Sequence, residues 1–255
     1  MKKVYIVTGA GHFPGIGSGI AQALVNNQNQ VIVSGRNFDA AWVELSQQNP
    51  DVLLITGDIR DKQTQHNIID TAIDTWGRIN GIIHNASPSD DAIYEEGLLS
   101  RITWNDVLQT NLIAVYELSM LAHKHLLATQ GSMVCIGSRA GLQAGIGNNI
   151  AYGTAKAALH HLTQELALLL APVRVNAVSP GLVNTQRLGN QLQDRLDTRL
   201  THWREISLTG ELITPEDIAD SIMHLLGSKN ITGQILSVCS GVSIQPPFIP
   251  LKPKQ

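Results

Sequence analysis

The sequence predicts an α/β fold: a doubly wound parallel sheet with helices on both faces. Two observations carry this. Short apolar, mostly β-branched runs recur along the chain, and segments with helical periodicity separate them. The runs are apolar at successive rather than alternate positions, as strands covered on both faces must be. Strand, helix and strand in succession give βαβ units, and these build a parallel sheet.

In order, strands are expected at Val4–Val7, Val31–Ser34, Leu53–Thr56, Gly81–His84, Met133–Ile136, Val173–Val178 and Ile235–Val238. Helices are expected over 17–27, 62–76, 103–128, 152–170 and 215–226. The last has the sharpest start, with Thr214 as cap, Pro215 at the first helical position, and Glu216 and Asp217 in the first turn. No linker, composition shift or repeat divides residues 1–255, so a single domain is expected. The proline-rich tail, about 245–255, suits neither a helix nor a central strand and is expected to lie extended over a surface.

A hydrophobic share of 43% with 15% charged residues, over 255 positions, is enough for a full globular core. The net charge of −3 and the scattered Lys and Arg leave no basic face, so neither nucleic acid nor an anionic membrane is an indicated partner. Lys2 and Lys3 precede the apolar run Val4–Val7, but that run ends at Thr8-Gly9 and is too short for a signal peptide or a membrane span. Cys135 and Cys239 each sit in an apolar stretch and read as buried thiols rather than a disulfide. A cytoplasmic location follows as the expectation. The nine His are dispersed and suggest no metal set.

Two places carry chemistry. After the first strand comes Thr8-Gly9-Ala-Gly11-His-Phe-Pro-Gly15-Ile16-Gly17, directly before a helix. Glycines there let the backbone approach a pyrophosphate, whose charge the helix N-terminus favours. The second strand ends in Ser34-Gly35-Arg36-Asn37 without the acid that would bind a free ribose 2′-hydroxyl. Arg36 offers a planar fork for a 2′-phosphate, so NADP(H) is expected over NAD(H), the alternative being a solvated Arg. The other place is Tyr152-Gly-Thr-Ala-Lys156. On a helix the phenol and the ammonium share a face, and the cation favours the phenolate, which suits acid–base work near neutral pH. An amphipathic helix with a solvated Lys would carry the same spacing.

Together these motifs resemble the short-chain dehydrogenase/reductase family, from Thr8 to the region of Gly241. Thr8-Gly9 with Gly15-Ile16-Gly17 is similar to its cofactor loop, Asp58-Ile59 to its adenine-contacting element, and Asn85-Ala86 to its Asn-Ala-Gly element. Asn111, Ser138, Tyr152 and Lys156 match its catalytic residues. Arg174 to Gly181, with Thr185 beyond, is similar to its sixth strand and the loop that grips the nicotinamide carboxamide. The resemblance implies a Rossmann-type fold and hydride transfer between a nicotinamide and a ketone or secondary alcohol of a small metabolite. Tyr152 would act as general acid/base, Ser138 as a second hydrogen-bond donor, Lys156 would hold the phenol's pKa down and bind the nicotinamide ribose, and Asn111 would hold a water. Gly9, Gly11, Gly15, Ile16, Gly17, Arg36, Asp58, Ile59, Asn85, Ala86, Pro180, Gly181, Val183 and Thr185 would join Tyr152 and Lys156 in binding the cofactor. An NAD-dependent alcohol dehydrogenase and a non-catalytic cofactor-binding regulator are the competing readings.

There are two departures from the family pattern. Five residues, Ala10–Pro14, replace the usual three in the glycine loop, which must bulge. Ser87 stands where the family has a glycine and puts a side chain on the loop beside the nicotinamide, where it either narrows the pocket or faces solvent. Ser87, Gln143 in the polar loop after Ser138, and Arg187 in a lid of about 186–213 are the candidate substrate contacts. That lid carries Arg187, Arg195, Arg199, His202, Trp203 and Arg204 among Asp194, Asp197 and Glu205, so an anionic substrate and a salt-bridged solvated helix stay equally open. Apolar residues on more than one face of helices 103–128 and 152–170 suggest pairing between subunits, hence a homodimer or homotetramer.

Overall fold

A computed structural model describes residues 1–88, 101–144, 150–185 and 196–244, with the backbone alone for 101–103 and 196–199. The strands are β1 (Val4–Thr8), β2 (Gln30–Gly35), β3 (Val52–Thr56), β4 (Gly81–His84), β5 (Ser132–Ile136), β6 (Arg174–Pro180) and β7 (Ile235–Val238). They form one sheet in the order β3-β2-β1-β4-β5-β6-β7, and every pairing is parallel. β1 lies between β2 and β4, so the chain winds in opposite directions from it and opens a crevice at the carboxyl ends of these strands.

Burial on both faces explains the unbroken apolar runs. Tyr5 and Val7 point into a core with Ile20, Leu24, Ile218 and Ile222, while Val4 and Ile6 point into another with Ile68, Leu118, Leu126 and Leu166. Gly81 opens β4 because a Cβ there would stand 2.8 Å from the Tyr5 ring.

The helices are α1 (Ile16–Asn26), α2 (Ala40–Gln48), α3 (Lys62–Trp76), α4 (Arg101–Leu108), α5 (Ala114–Thr129), α6 (Ile150–Leu169), α7 (Leu196–Ile206) and α8 (Pro215–Gly227). The capping box expected at Thr214 is present: Thr214 Oγ1 accepts from Asp217 N at 3.2 Å, and Asp217 Oδ2 accepts from Thr214 N at 2.8 Å. α3 begins on Asp61, whose carboxylate accepts from the Gln63 and Thr64 amides, and stops at Gly77 with φ 71°.

Two expectations on helices need correction. α2 was not expected; it buries only Trp42 and so gives almost no periodic signal. The helix expected to run unbroken over 103–128 is interrupted at Gln109–Ile113 by a π turn, in which Ala114 N bonds back to Gln109 O. The tail from 245 lies outside the described residues. Cys135 and Cys239 are both free and buried. No helix among the described residues is long and apolar enough to cross a membrane.

Candidate active site

The glycine loop after β1 is shaped by close approaches. Gly9 has φ +66°, and a Cβ on it would stand 2.5 Å from Ala86 Cα. A Cβ on Gly17 would meet Asn85 Nδ2 at 2.4 Å. Asn85 ties the two strand ends together, donating from Nδ2 to Thr8 O at 2.9 Å and Gly9 O at 2.8 Å. Thr8 Oγ1 accepts in return from the Asn85 and Ala86 amides. Gly15 caps α1, and Ser18 Oγ bridges the Gly15 amide and carbonyl. Ile16 opens the helix, half-buried.

The two extra residues swing the loop towards the β2–α2 connection. Asp39 accepts from Phe13 N at 2.7 Å and pairs with His12 Nδ1 at 2.9 Å; the His12 bond holds its carboxyl below the usual range. Trp42 Nε1 donates to Ala10 O at 2.8 Å, and the Trp42 and Phe13 rings lie 4.8 Å apart. Gly11 is buried under Asn37, whose carbonyl oxygen would be 1.9 Å from a Cβ. This glycine is therefore required by the loop's own packing.

Arg36 stands exposed beyond β2. Asp58 follows β3 and is clasped by Arg60, which donates from Nε at 3.0 Å and Nη2 at 2.7 Å and reaches Asp106 through Nη1 at 2.7 Å. Arg60, with a further contribution from Arg36, keeps the Asp58 carboxyl below its ordinary pKa. Ile59 is buried in the core on that side.

The four candidate catalytic residues come from three adjoining segments. Ser138 follows β5 and caps the short turn Arg139–Gly141, its Oγ accepting from Ala140 N at 3.1 Å. That bond occupies a lone pair and leaves the hydroxyl proton for another acceptor. A Cβ on Gly141 would stand 2.6 Å from the Lys156 backbone, so the turn presses directly on α6. On α6, Lys156 is 2% exposed, its Nζ lies 5.4 Å from the Tyr152 ring centroid, and it donates to Ile136 O at 2.7 Å. Asn111 sits in the π turn; its Nδ2 donates to Val107 O at 3.0 Å, and its buried Oδ1 has no partner among the described residues. One turn beyond Lys156, His160 packs against Gly137 and Ser179, and burial lowers its pKa.

Pro180 ends β6, and the Gly181 amide continues the sheet to Val238 O at 2.9 Å. Val183 bridges to Ile213, and Thr185 is the last described residue before 196. The Ser87 hydroxyl is buried without a partner among the described residues, so it does not face solvent. Gln143 accepts from Arg139 Nη1 at 3.1 Å. Arg187 lies outside the described residues, as do Asp194 and Arg195. On α7, Trp203 lies under Arg139, whose guanidinium carbon is 4.8 Å from the ring centroid. Trp203 was among the residues noted in that segment from sequence; Arg139, Asp39 and Arg60 were not singled out, and of these only Arg139, adjacent to Ser138, gave a usable signal. Among the described residues no group of His, Cys, Asp and Glu is placed to hold a metal.

Comparison with known proteins fits this arrangement. A family model described as enoyl-(acyl carrier protein) reductase matches residues 9–243. The chain is 33% identical to tropinone reductase-like 3 of Erythroxylum coca, with 94% of this chain and 92% of that one covered. It is 30% identical to dehydrogenase/reductase SDR family member 4 of Caenorhabditis elegans, with 94% and 95% covered. Among solved structures, the ligand-free aldohexose dehydrogenase of Thermoplasma acidophilum superposes with a TM-score of 0.86 at 26% identity, covering 98% of each chain.

Proposed function

The chain belongs to the short-chain dehydrogenase/reductase family and is an NAD(P)-dependent oxidoreductase acting on CH–OH or C=O groups, and from that premise we propose that it reduces a ketone of a small metabolite with NADPH, the reverse reaction being alcohol oxidation. The observation that carries this reading is that the turn capped by Ser138 and the π turn holding Asn111 both pack against α6, the helix that carries Tyr152 and Lys156. The cradle fits a dinucleotide: Gly9 and Gly17 lack the Cβ atoms that would clash with Ala86 and Asn85, and α1 directs its N-terminus at the loop. When bound, the nicotinamide supplies the hydride.

The protein's own residues then manage charge. As negative charge develops on the carbonyl oxygen, Tyr152 donates its phenolic proton there and Ser138 donates a hydrogen bond, interactions stronger in the transition state than before it. Lys156, buried beside the ring, favours the phenolate that remains. Asn111, whose Oδ1 has no partner among the described residues, is suited to hold a water through which Tyr152 and Lys156 recover a proton. Arg36, exposed at the end of β2 where an acid would repel phosphate, supports NADPH over NADH.

Tyr152→Phe tests the assignment by keeping the ring and removing the acid. Cofactor binding, followed by nicotinamide fluorescence, should stay near wild type while turnover falls by about 10²–10⁴-fold. Turnover near wild type would remove Tyr152 from the chemistry.

A further inference from the structure

We infer that Arg139 is the specificity determinant of this site and that the substrate carries a carboxylate within reach of the carbonyl being reduced; the inference rests on the carbonyl-reductase reading above. Arg139 follows Ser138 directly, so its side chain leaves the backbone one residue from the hydroxyl assigned to the carbonyl oxygen. It is half-buried and doubly held. Its face lies 4.8 Å from the centre of the Trp203 ring on the lid helix α7, and Nη1 donates to Gln143 Oε1 at 3.1 Å. A flexible cation has thereby been fixed between the Ser138 turn and the lid.

Neither partner carries a full negative charge. Among the described residues no carboxylate lies within ion-pair distance of Arg139, although Arg60 and Lys2 both have one. Removing a guanidinium from water without a counter-charge is costly, and a surface Arg with no task would stay solvated. The Nε and Nη2 donors make no hydrogen bond to a described residue, and they form the edge that binds a carboxylate in two parallel bonds. Trp203 also lines a hollow whose one side is apolar, with Leu182, Ile213 and Val242, and whose other side carries Ser207, Ser240 and Glu211, so the carboxylate of the substrate is assigned to the Arg139 end and its carbon chain to the apolar side. A short carbon chain with a ketone at one end and a carboxylate at the other fits this combination.

Paired kinetics test the inference. Oxoacids of increasing carbonyl-to-carboxylate spacing, each beside its methyl ester, are assayed with saturating NADPH in wild type, Arg139→Met and Arg139→Lys. The wild type should favour at least one acid over its ester by about tenfold or more in kcat/KM, the scale of a charge-assisted hydrogen-bonded pair. Arg139→Met should bring that ratio close to one, and Arg139→Lys should restore part of it. A ketose phosphate joins the panel; if it is preferred over every oxoacid, the carboxylate assignment is overturned. If Arg139→Met does not fold, inhibition of the wild type by unreactive dicarboxylates, competitive with ketone, is the second readout. Absence of such competition overturns the inference. Turnover of esters with no preference for any acid sinks the inference alone, whereas no turnover of any carbonyl sinks the underlying reading and the inference with it.

Discussion

Replacing Gly17 with Ala tests whether the junction of β1, α1 and β4 is as tight as its geometry indicates. The new methyl would stand 2.4 Å from Asn85 Nδ2 and 2.9 Å from Ala10 Cα, well inside contact distance. Asn85 must move, and its bonds of 2.9 Å to Thr8 O and 2.8 Å to Gly9 O break with it. Two hydrogen bonds are worth about 2 kcal/mol together. Pressure on the Ala10 backbone adds about 1–3 kcal/mol, and the better helix propensity of Ala returns about 1 kcal/mol. The net loss is about 3 kcal/mol, or about 6–12 °C in Tm for a chain of this size. Calorimetry measures it, and the NADPH-induced rise in Tm should shrink because the cradle is distorted. Asn85→Ala supplies the sharper check. It deletes the group the methyl strikes, so the double variant should be about 1–2 kcal/mol less destabilised than the sum of the single variants. Additivity within about 0.5 kcal/mol, or a Gly17→Ala protein as stable as wild type, would refute the reasoning.

Arg36→Glu should weaken NADPH binding about tenfold or more while affecting NADH much less, as side-by-side dissociation constants would show; equal losses for both cofactors would remove Arg36 from the 2′-phosphate. His84 lies buried on β4, where Ser119 spends its proton on Val115 O and must accept from His84 Nε2. Burial holds the His84 pKa down to about 4 from 6.5. The unfolded chain therefore binds a proton that the folded one refuses, and stability is lost as pH falls from 6.5 towards 4, at up to about 1.4 kcal/mol per pH unit. Urea midpoints at pH 7 and 5 should differ less in His84→Gln than in wild type. Ile113, Tyr116, Met120 and Leu127 are 37–45% exposed along one side of α5 and its π turn, as a subunit interface would need. Light scattering should give a dimer or tetramer that Tyr116→Glu with Met120→Glu dissociates, and a monomeric wild type at micromolar concentration would sink that expectation.

The sheet was legible because its central strands write both of their faces in apolar residues: Val4 and Ile6 serve one core, Tyr5 and Val7 the other, whereas the edge strand β7, expected to be buried, leaves Leu236 and Ser237 exposed. The capping box at Thr214-Pro215 was legible too, and so was the shared helix face of Tyr152 and Lys156, whose Nζ lies 5.4 Å from the ring centroid. Most of what escaped has a common physical origin, since it depends on partners distant in sequence. α2 is held by Trp42, whose indole bonds to Ala10 O, and Asp39 anchors the lengthened loop through Phe13 and His12. From sequence the loop was expected only to bulge; the structure turns the extra length into a clasp on the β2–α2 connection. The π turn escaped for a different, local reason. A continuous helix over 103–128 satisfies the apolar periodicity, and only the bond from Ala114 N back to Gln109 O separates the two arrangements. That bond has a consequence for the site. The insertion widens one turn and holds Asn111 in it, with Nδ2 tied to Val107 O and Oδ1 buried and left unpaired among the described residues, in a turn that packs against the helix carrying Lys156. An unbroken helix would have bonded its backbone without loss and given Asn111 no such setting. The irregularity is thus placed where an unsatisfied acceptor is of use, and the proton route proposed through Asn111 depends on it.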